Sequence, residues 1–346
     1  MVNNEETNFF MVSFGTLGDF LMQLSLFECI NICNPHISIY VLAIKNQRML
    51  EDLAKAYPYI SFITLDQKHL LKSIQFIITS FFKNNIFFIP PTFAPVGSKI
   101  KIIGKLVTWW SRDSKLVGFY DGTKISRIYD NVLTFDVQIL FYKNLYKVLP
   151  ILNCKASDEK PHYHWCKNNI FLNKTGIKSP YIVINPFAGS KRRSLPMDRW
   201  SDLVFFLEKK YQDYEIVIVG SPHDCEDAEN LVSSDKIHNL CGSIPLSQIA
   251  AFIDGSSLFI GVDSGLTHLA SLIETPSVII GNLSNPTWLP SYSQHTTILY
   301  EKSRCVCNGD KTGDCFEYVN GVPYYRCMLD IPQERIKETI TQCLEN

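Results

Sequence analysis

Short apolar runs alternating with helix-spaced segments constrain this chain more than any other feature. In the first half, residues 9–14, 37–44 and 61–65 read as strands, separated by one helix running through Cys33 and another over 49–57. The second half repeats the pattern, with strands at 181–185, 215–219, 258–261 and 277–280 and helices between them. Trp200, Leu203, Val204, Leu207 and Tyr211 recur at helical spacing and mark one apolar face. Such alternation implies parallel sheets covered by helices on both faces. At 346 residues the chain exceeds what one hydrophobic core accommodates. Two doubly wound α/β domains are therefore expected to face each other across a cleft, with ligands at the carboxyl ends of the strands. The polar, irregular stretch from Asn153 to Pro180 is the expected linker.

The turns at strand ends hold the candidate chemistry. Gly261-Val262-Asp263-Ser264-Gly265-Leu266-Thr267-His268-Leu269-Ala270 leaves a strand and enters a helix. A helix start presents unpaired N–H groups backed by the helix dipole, which suits an anion. Asp263 and Ser264 are good caps, and Gly265 admits a phosphate close to the backbone. An ordinary capped turn has the same residues. His268 sits one turn into this helix. The loop from Asn185 to Pro196 offers Ser190 and three consecutive cations, Lys191, Arg192 and Arg193. It suits a diphosphate, or is a solvated basic loop. In Gly220-Ser221-Pro222-His223-Asp224, the acid accepts hydrogen bonds from ribose hydroxyls or caps the next helix.

After the first strand comes Gly15-Thr16-Leu17-Gly18-Asp19. It lacks the full Gly-x-Gly-x-x-Gly spacing, and the second strand ends Leu42-Ala43-Ile44-Lys45 with no acid for a ribose. Both points argue against a nicotinamide or flavin enzyme. Asp19 either caps its helix or acts as a general base toward a sugar hydroxyl.

Composition excludes several classes. With 46% hydrophobic and 19% charged residues the chain is globular, and a net charge of −1 makes nucleic acid an unexpected partner. The most hydrophobic stretch, 70–91, is interrupted by Lys72, Lys83, Asn84 and Asn85 and is too broken to span a bilayer. Residues 1–8 lack the features of a secretory signal, so a cytoplasmic location is expected. Eleven cysteines, an odd number and mostly scattered, fit reduced thiols. Cys305, Cys307, Cys315 and Cys327 form a cluster that either holds a structural zinc or consists of free thiols. Lys99, Lys101, Lys105, Trp109, Trp110, Arg112 and Lys115 mix cations with aromatics. This stretch is either a solvated amphipathic segment or a surface for anionic headgroups or a phosphorylated acceptor.

Together these residues resemble glycosyltransferase family 9, the bacterial heptosyltransferase-like enzymes. The resemblance rests on Gly18-Asp19, the basic loop ending at Pro196 before Trp200, and the Gly220–Asp224 turn. It continues through Asn239-Leu240-Cys241-Gly242 and is strongest in Asp263-Ser264-Gly265-Leu266-Thr267-His268-Leu269-Ala270, followed by Pro276, Gly281 and Pro286. It implies a GT-B fold of two facing Rossmann-like domains: an acceptor domain over 1–165, a nucleotide-sugar domain over 166–330, and a closing helix, 331–346, packing back toward the first. It also implies inverting, metal-independent transfer from a nucleoside-diphosphate sugar, typically ADP-heptose, to lipopolysaccharide core, with no cofactor required; the basic and aromatic stretch from Lys99 to Lys115 would account for peripheral contact at the inner membrane. By that resemblance Asp19 is the base and Arg193 stands at the family's phosphate-binding lysine. Asp224 contacts ribose, while Asp263, Ser264, Gly265 and His268 hold the nucleotide diphosphate. Gln23 and Ser25 stand where the family commonly has threonine and proline. A hexose donor on the same fold, a nucleotide-sugar epimerase and a silent nucleotide-sugar sensor are the alternatives.

Overall fold

The computed structural model describes residues 7–13, 16–43, 56–64, 83–91, 98–109, 113–120, 122–155, 163–165, 172–282, 286–301 and 315–345. The chain divides into two compact units, Met1–Pro161 and His162–Asn346. The division falls inside the expected linker, four residues before the expected boundary at 165.

The first unit contains β1 (Thr7–Ser13), α1 (Leu17–Cys33), β2 (Ser38–Ala43), β3 (Ile60–Thr64) and β4 (Asn84–Ile89). After these come α2 (Ser98–Thr108), β5 (Lys115–Phe119), β6 (Asn131–Leu133) and α3 (Phe141–Leu145). Its six strands are all parallel, in the order β3-β2-β1-β4-β5-β6. The longer strands are apolar runs of five to seven residues, and β1 is buried along Asn8–Ser13. That is the pattern of a sheet covered on both faces. Strand β4 lies within the hydrophobic stretch 70–91, to which periodicity assigns no element. Helix α1 buries residues around most of its circumference, Phe20, Leu24 and Phe27 among them. The expected helix over 49–57 lies largely outside the described residues.

The second unit contains α4 (Leu172–Thr175), β7 (Tyr181–Asn185), α5 (Met197–Lys210), β8 (Glu215–Ile218), α6 (Cys225–Glu229) and β9 (Ile237–Asn239). It continues with α7 (Leu246–Asp254), β10 (Leu258–Val262), α8 (Gly265–Leu272), β11 (Ser277–Ile280) and β12 (Thr296–Leu299). A hairpin of β13 (Phe316–Val319) and β14 (Val322–Tyr325) precedes α9 (Arg326–Leu329) and α10 (Gln333–Glu345). The large sheet is again parallel, in the order β12-β11-β10-β7-β8-β9. Counted from its own first strand, this is the strand order of the first unit. Such an order reverses direction beside the first strand, at β1/β4 and at β7/β10, and ligands of doubly wound sheets bind at the carboxyl ends there.

Trp200, Leu203, Val204 and Leu207 of α5 are buried against the second sheet, as their spacing predicts. Helix α10 buries Ile336 and Ile340 in the same core. Arg199 of α5 anchors the chain that leads into it. Its guanidinium donates to the carbonyls of Leu329 (2.9 Å) and Ile331 (2.6 Å) and to Gln333 Oε1 (2.9 Å). These bonds satisfy carbonyls that the end of α9 leaves unpaired.

Candidate functional site

The most organised polar cluster among the described residues stands at the β7/β10 reversal. Strand register brings its parts level. Asn185 pairs with Gly261, and Val262 pairs with Ile280, so the residues following β7, β10 and β11 emerge side by side. Ser264 caps α8 from an extended backbone conformation (φ −147°, ψ 172°). Its N–H donates to Thr267 Oγ1 at 3.0 Å, and its hydroxyl donates to Asn185 Oδ1 at 2.8 Å. Asn185 in turn donates to the carbonyl of Val219 at 2.9 Å, which fixes the orientation of its amide.

With Ser264 and Thr267 serving the helix, Asp263 is left for other work. Its Oδ2 lies 3.3 Å from Arg193 Nη1 and accepts a 2.9 Å hydrogen bond from Asn282 Nδ2. The carboxylate is mostly buried, 14% exposed, while Arg193 keeps 35% of its side chain open to solvent. A guanidinium carries five N–H donors, so one spent on Asp263 leaves others for an anion. Gly189 makes room for this arrangement: a Cβ there would stand 3.3 Å from Arg193 Nη2.

The three consecutive cations separate. Residues Lys191–Arg193 form a single 3-10 turn, and three residues per turn send successive side chains about 120° apart. Lys191 pairs with Asp227 at 3.2 Å, and the Arg192 guanidinium lies 4.5 Å from the centre of the Phe316 ring. Arg193 alone of the three is paired with Asp263.

His268 is buried within α8, and its Nδ1 is 3.0 Å from the Tyr292 hydroxyl. Burial pushes its pKa down to about 4; the Asp263 carboxylate opposes the shift and Arg193 reinforces it. At neutral pH His268 is therefore an uncharged hydrogen-bonding group that pins one side of the helix beneath Asp263.

Asp224 and Asp19 are both held by capping boxes. Asp224 Oδ2 accepts from Ser221 N–H (2.7 Å) and Ser221 Oγ (2.6 Å). Asp19 Oδ2 accepts from Thr16 N–H (3.2 Å) and Thr16 Oγ1 (2.8 Å), while Asp19 N–H donates back to Thr16 Oγ1 at 3.3 Å. Gly18 is buried at the start of α1. Asp19 thus stands at the β1/β4 reversal of the first unit, after the first strand of its sheet, whereas Asp263 follows the fourth strand of the second.

The mixed basic and aromatic stretch requires a correction. Lys101 is not a surface cation: it is wholly buried, its amine 3.2 Å from Thr123 Oγ1 and 5.5 Å from the centre of the Tyr129 ring. Lys105 pairs with Asp130, and Trp109 is 77% exposed. The Lys99 side chain and Arg112 lie outside the described residues, as do Cys305 and Cys307. Cys315 and Cys327 are buried, and among the described residues no group of three or more His, Cys, Asp or Glu is placed to hold a metal ion.

Sequence reasoning does not single out Asn282 or Tyr292. Asn282 carries a signal in its position, since it follows the carboxyl end of a strand beside Asp263. Tyr292 carries none, because its link to His268 spans 24 residues of loop and turn.

The model of glycosyltransferase family 9 (heptosyltransferase) matches residues 137–316, more than half of the chain. Lipopolysaccharide heptosyltransferase 3 of Escherichia coli (strain K12) is 29% identical over 136 residues, which cover 36% of this chain and 38% of that protein. The chain spans about two fifths of the length of the curated relatives it matches. Two solved structures share the fold over nearly the whole chain. One is the E. coli ADP-heptose lps heptosyltransferase II, with 17% identity, a TM-score of 0.73 and 98% of each chain covered. The other is a glycosyl transferase family 9 protein from Veillonella parvula DSM 2008, with 17% identity, a TM-score of 0.74, and 100% of this chain and 98% of that one covered. The family match and the two six-stranded parallel sheets agree: this chain belongs to glycosyltransferase family 9, the heptosyltransferase family.

Proposed function

We propose that this chain is an inverting glycosyltransferase that moves a heptose from ADP-heptose to a lipopolysaccharide-core acceptor, without a metal ion, at the cytoplasmic face of the inner membrane. The observation that carries this reading is Arg193, partly exposed and steered by Asp263 at the N-terminus of α8, where the strand order reverses. Family membership and the heptosyltransferase names of the relatives support it.

In the proposed reaction Asp19 takes the proton from an acceptor hydroxyl, and the oxygen attacks the anomeric carbon from the face opposite the diphosphate. The bond from that carbon to the diphosphate oxygen breaks, and the nucleoside diphosphate leaves with the electron pair. Arg193 and the backbone N–H of Gly265 at the start of α8 meet the growing negative charge. Asp263 is an anion and does not bind phosphate itself; it aims the guanidinium and accepts hydrogen bonds from sugar hydroxyls. Asp224 is the proposed ribose contact, and Ser190 adds a hydroxyl at the diphosphate.

Purified protein offered ADP-heptose and a panel of nucleotide hexoses, with core acceptor, separates the readings by product mass. Heptose transfer supports the proposal. Hexose transfer without heptose transfer moves the chain to another donor, and donor consumption without acceptor points to an epimerase. Donor binding without turnover on any acceptor defeats the enzymatic reading.

A further inference from the structure

Helix α2 reverses the usual arrangement of a surface helix. Toward the sheet it turns Lys101, Gly104, Val107 and Thr108, all buried. A Cβ on Gly104 would stand 2.6 Å from Leu116 Cδ1 and 2.8 Å from Phe87 Cδ1, so this face lies tightly against β4 and β5. Outward it presents Ile102, Ile103, Leu106 and Trp109, which are 47%, 39%, 55% and 77% exposed. At 3.6 residues per turn these four side chains fall within an arc of about 120°.

A continuous apolar stripe left in water, on a helix that buries a lysine, is the signature of an interaction surface. The charge around it selects the partner. Residues 98–130 carry seven cations and three carboxylates, a net charge of +4 in a chain whose total is −1. Lys124 and Arg127 are exposed on a 3-10 helix (Lys124–Ile128) that packs against α2. An apolar stripe ending in tryptophan, on a segment of net positive charge whose neighbouring 3-10 helix exposes Lys124 and Arg127, fits the boundary between headgroups and acyl chains of an anionic bilayer. No helix among the described residues is long and apolar enough to cross a membrane. A helix of this kind lies in the membrane plane instead.

We infer that α2 is a membrane-docking helix that inserts Ile102, Ile103, Leu106 and Trp109 into an anionic lipid surface, with Lys124 and Arg127 against lipid phosphates. This concerns where the chain works and does not depend on which sugar it transfers.

Vesicle flotation of the full chain provides the test. The protein should float with vesicles of phosphatidylethanolamine and phosphatidylglycerol, and at least about tenfold less with phosphatidylcholine alone. Ile103→Ser combined with Leu106→Asp should lower flotation on anionic vesicles by a similar factor with an unchanged melting temperature, since both positions are solvent-exposed. Lys124→Ala with Arg127→Ala should weaken binding several-fold and reduce its sensitivity to salt. Equal flotation of the Ile103/Leu106 variant, or no flotation of the wild type, overturns the inference. So does a wild-type dimer that this variant converts to monomer, because the stripe would then join two copies of the chain. Failure of the heptosyltransferase reading would leave the flotation result unchanged.

Discussion

Each unit starts a helix at its strand-order reversal, α1 after the first strand and α8 after the fourth, and the two use their carboxylates differently. At the start of α1 Thr16 is the cap and Asp19 its partner three residues on: the two exchange hydrogen bonds, and the carboxylate is committed to the helix from which it projects. At the start of α8, Ser264 and Thr267 close the turn, and the carboxylate of Asp263 turns aside to Arg193 and Asn282. Both caps are hydroxyls; a hydroxyl as their partner in the box, Thr267, leaves a neighbouring acid for charge work, whereas an acid in that place, Asp19, is fixed in position and its chemistry left to whatever arrives. One turn is built to hold a cation in place; the other is built to hold a carboxylate still.

The comparison breaks most sharply at Asp19. Asp19→Asn keeps an oxygen to accept from Thr16 but removes the base, so turnover should fall by about 10²–10⁴ with little change in melting temperature. Wild-type turnover in this variant would reduce Asp19 to a cap. Arg193→Ala comes next, with a loss of roughly 3–4 kcal/mol of transition-state stabilisation, read as a drop of two or more orders of magnitude in kcat. A change confined to KM would mean that Arg193 grips donor and transition state alike.

His268 supplies a test of stability. Its folded pKa of about 4 lies below the ordinary histidine value of 6.5. Between those values the unfolded chain takes up a proton that the folded unit refuses, so stability falls as the pH drops from 6.5 toward 4. The fall should be about 1.4 kcal/mol per pH unit, roughly 3 kcal/mol in all, and should flatten below pH 4. Urea unfolding of wild type and His268→Gln across that window should show the extra slope only in the wild type; parallel curves would refute the burial argument. The smallest effect belongs to Asn282→Ala, which removes one hydrogen bond to a charged group and should cost roughly tenfold in kcat/KM. An unchanged rate would show that Arg193 alone suffices to orient Asp263.

Much of this is legible in the amino-acid order. Strands β7 and β11 have the bounds that their apolar runs suggest, because four or five mostly β-branched and aromatic residues between turn formers leave little alternative. The capped strand-to-helix turn at Asp263 is legible because strand, small residues and helix follow one another directly. The separate fates of Lys191, Arg192 and Arg193 are not legible. Adjacent residues of one charge look equivalent until a 3-10 turn points them toward Asp227, Phe316 and Asp263. Helix α2 misleads for a related reason: its lysines suggest a charged surface, but Gly104 is the residue that lets the helix approach the sheet, and that approach carries Lys101 inward.

Sequence by itself determined the alternation of elements, the doubled parallel sheet and the strand-end turns where charged groups gather, since each follows from local periodicity and from residues three or four positions apart. Only tertiary structure decided which groups meet. Arg193 and Asp263 are 70 residues apart, and Asn282 is 19 from Asp263. Strand register brings them together, and register is set by the packing of the whole sheet.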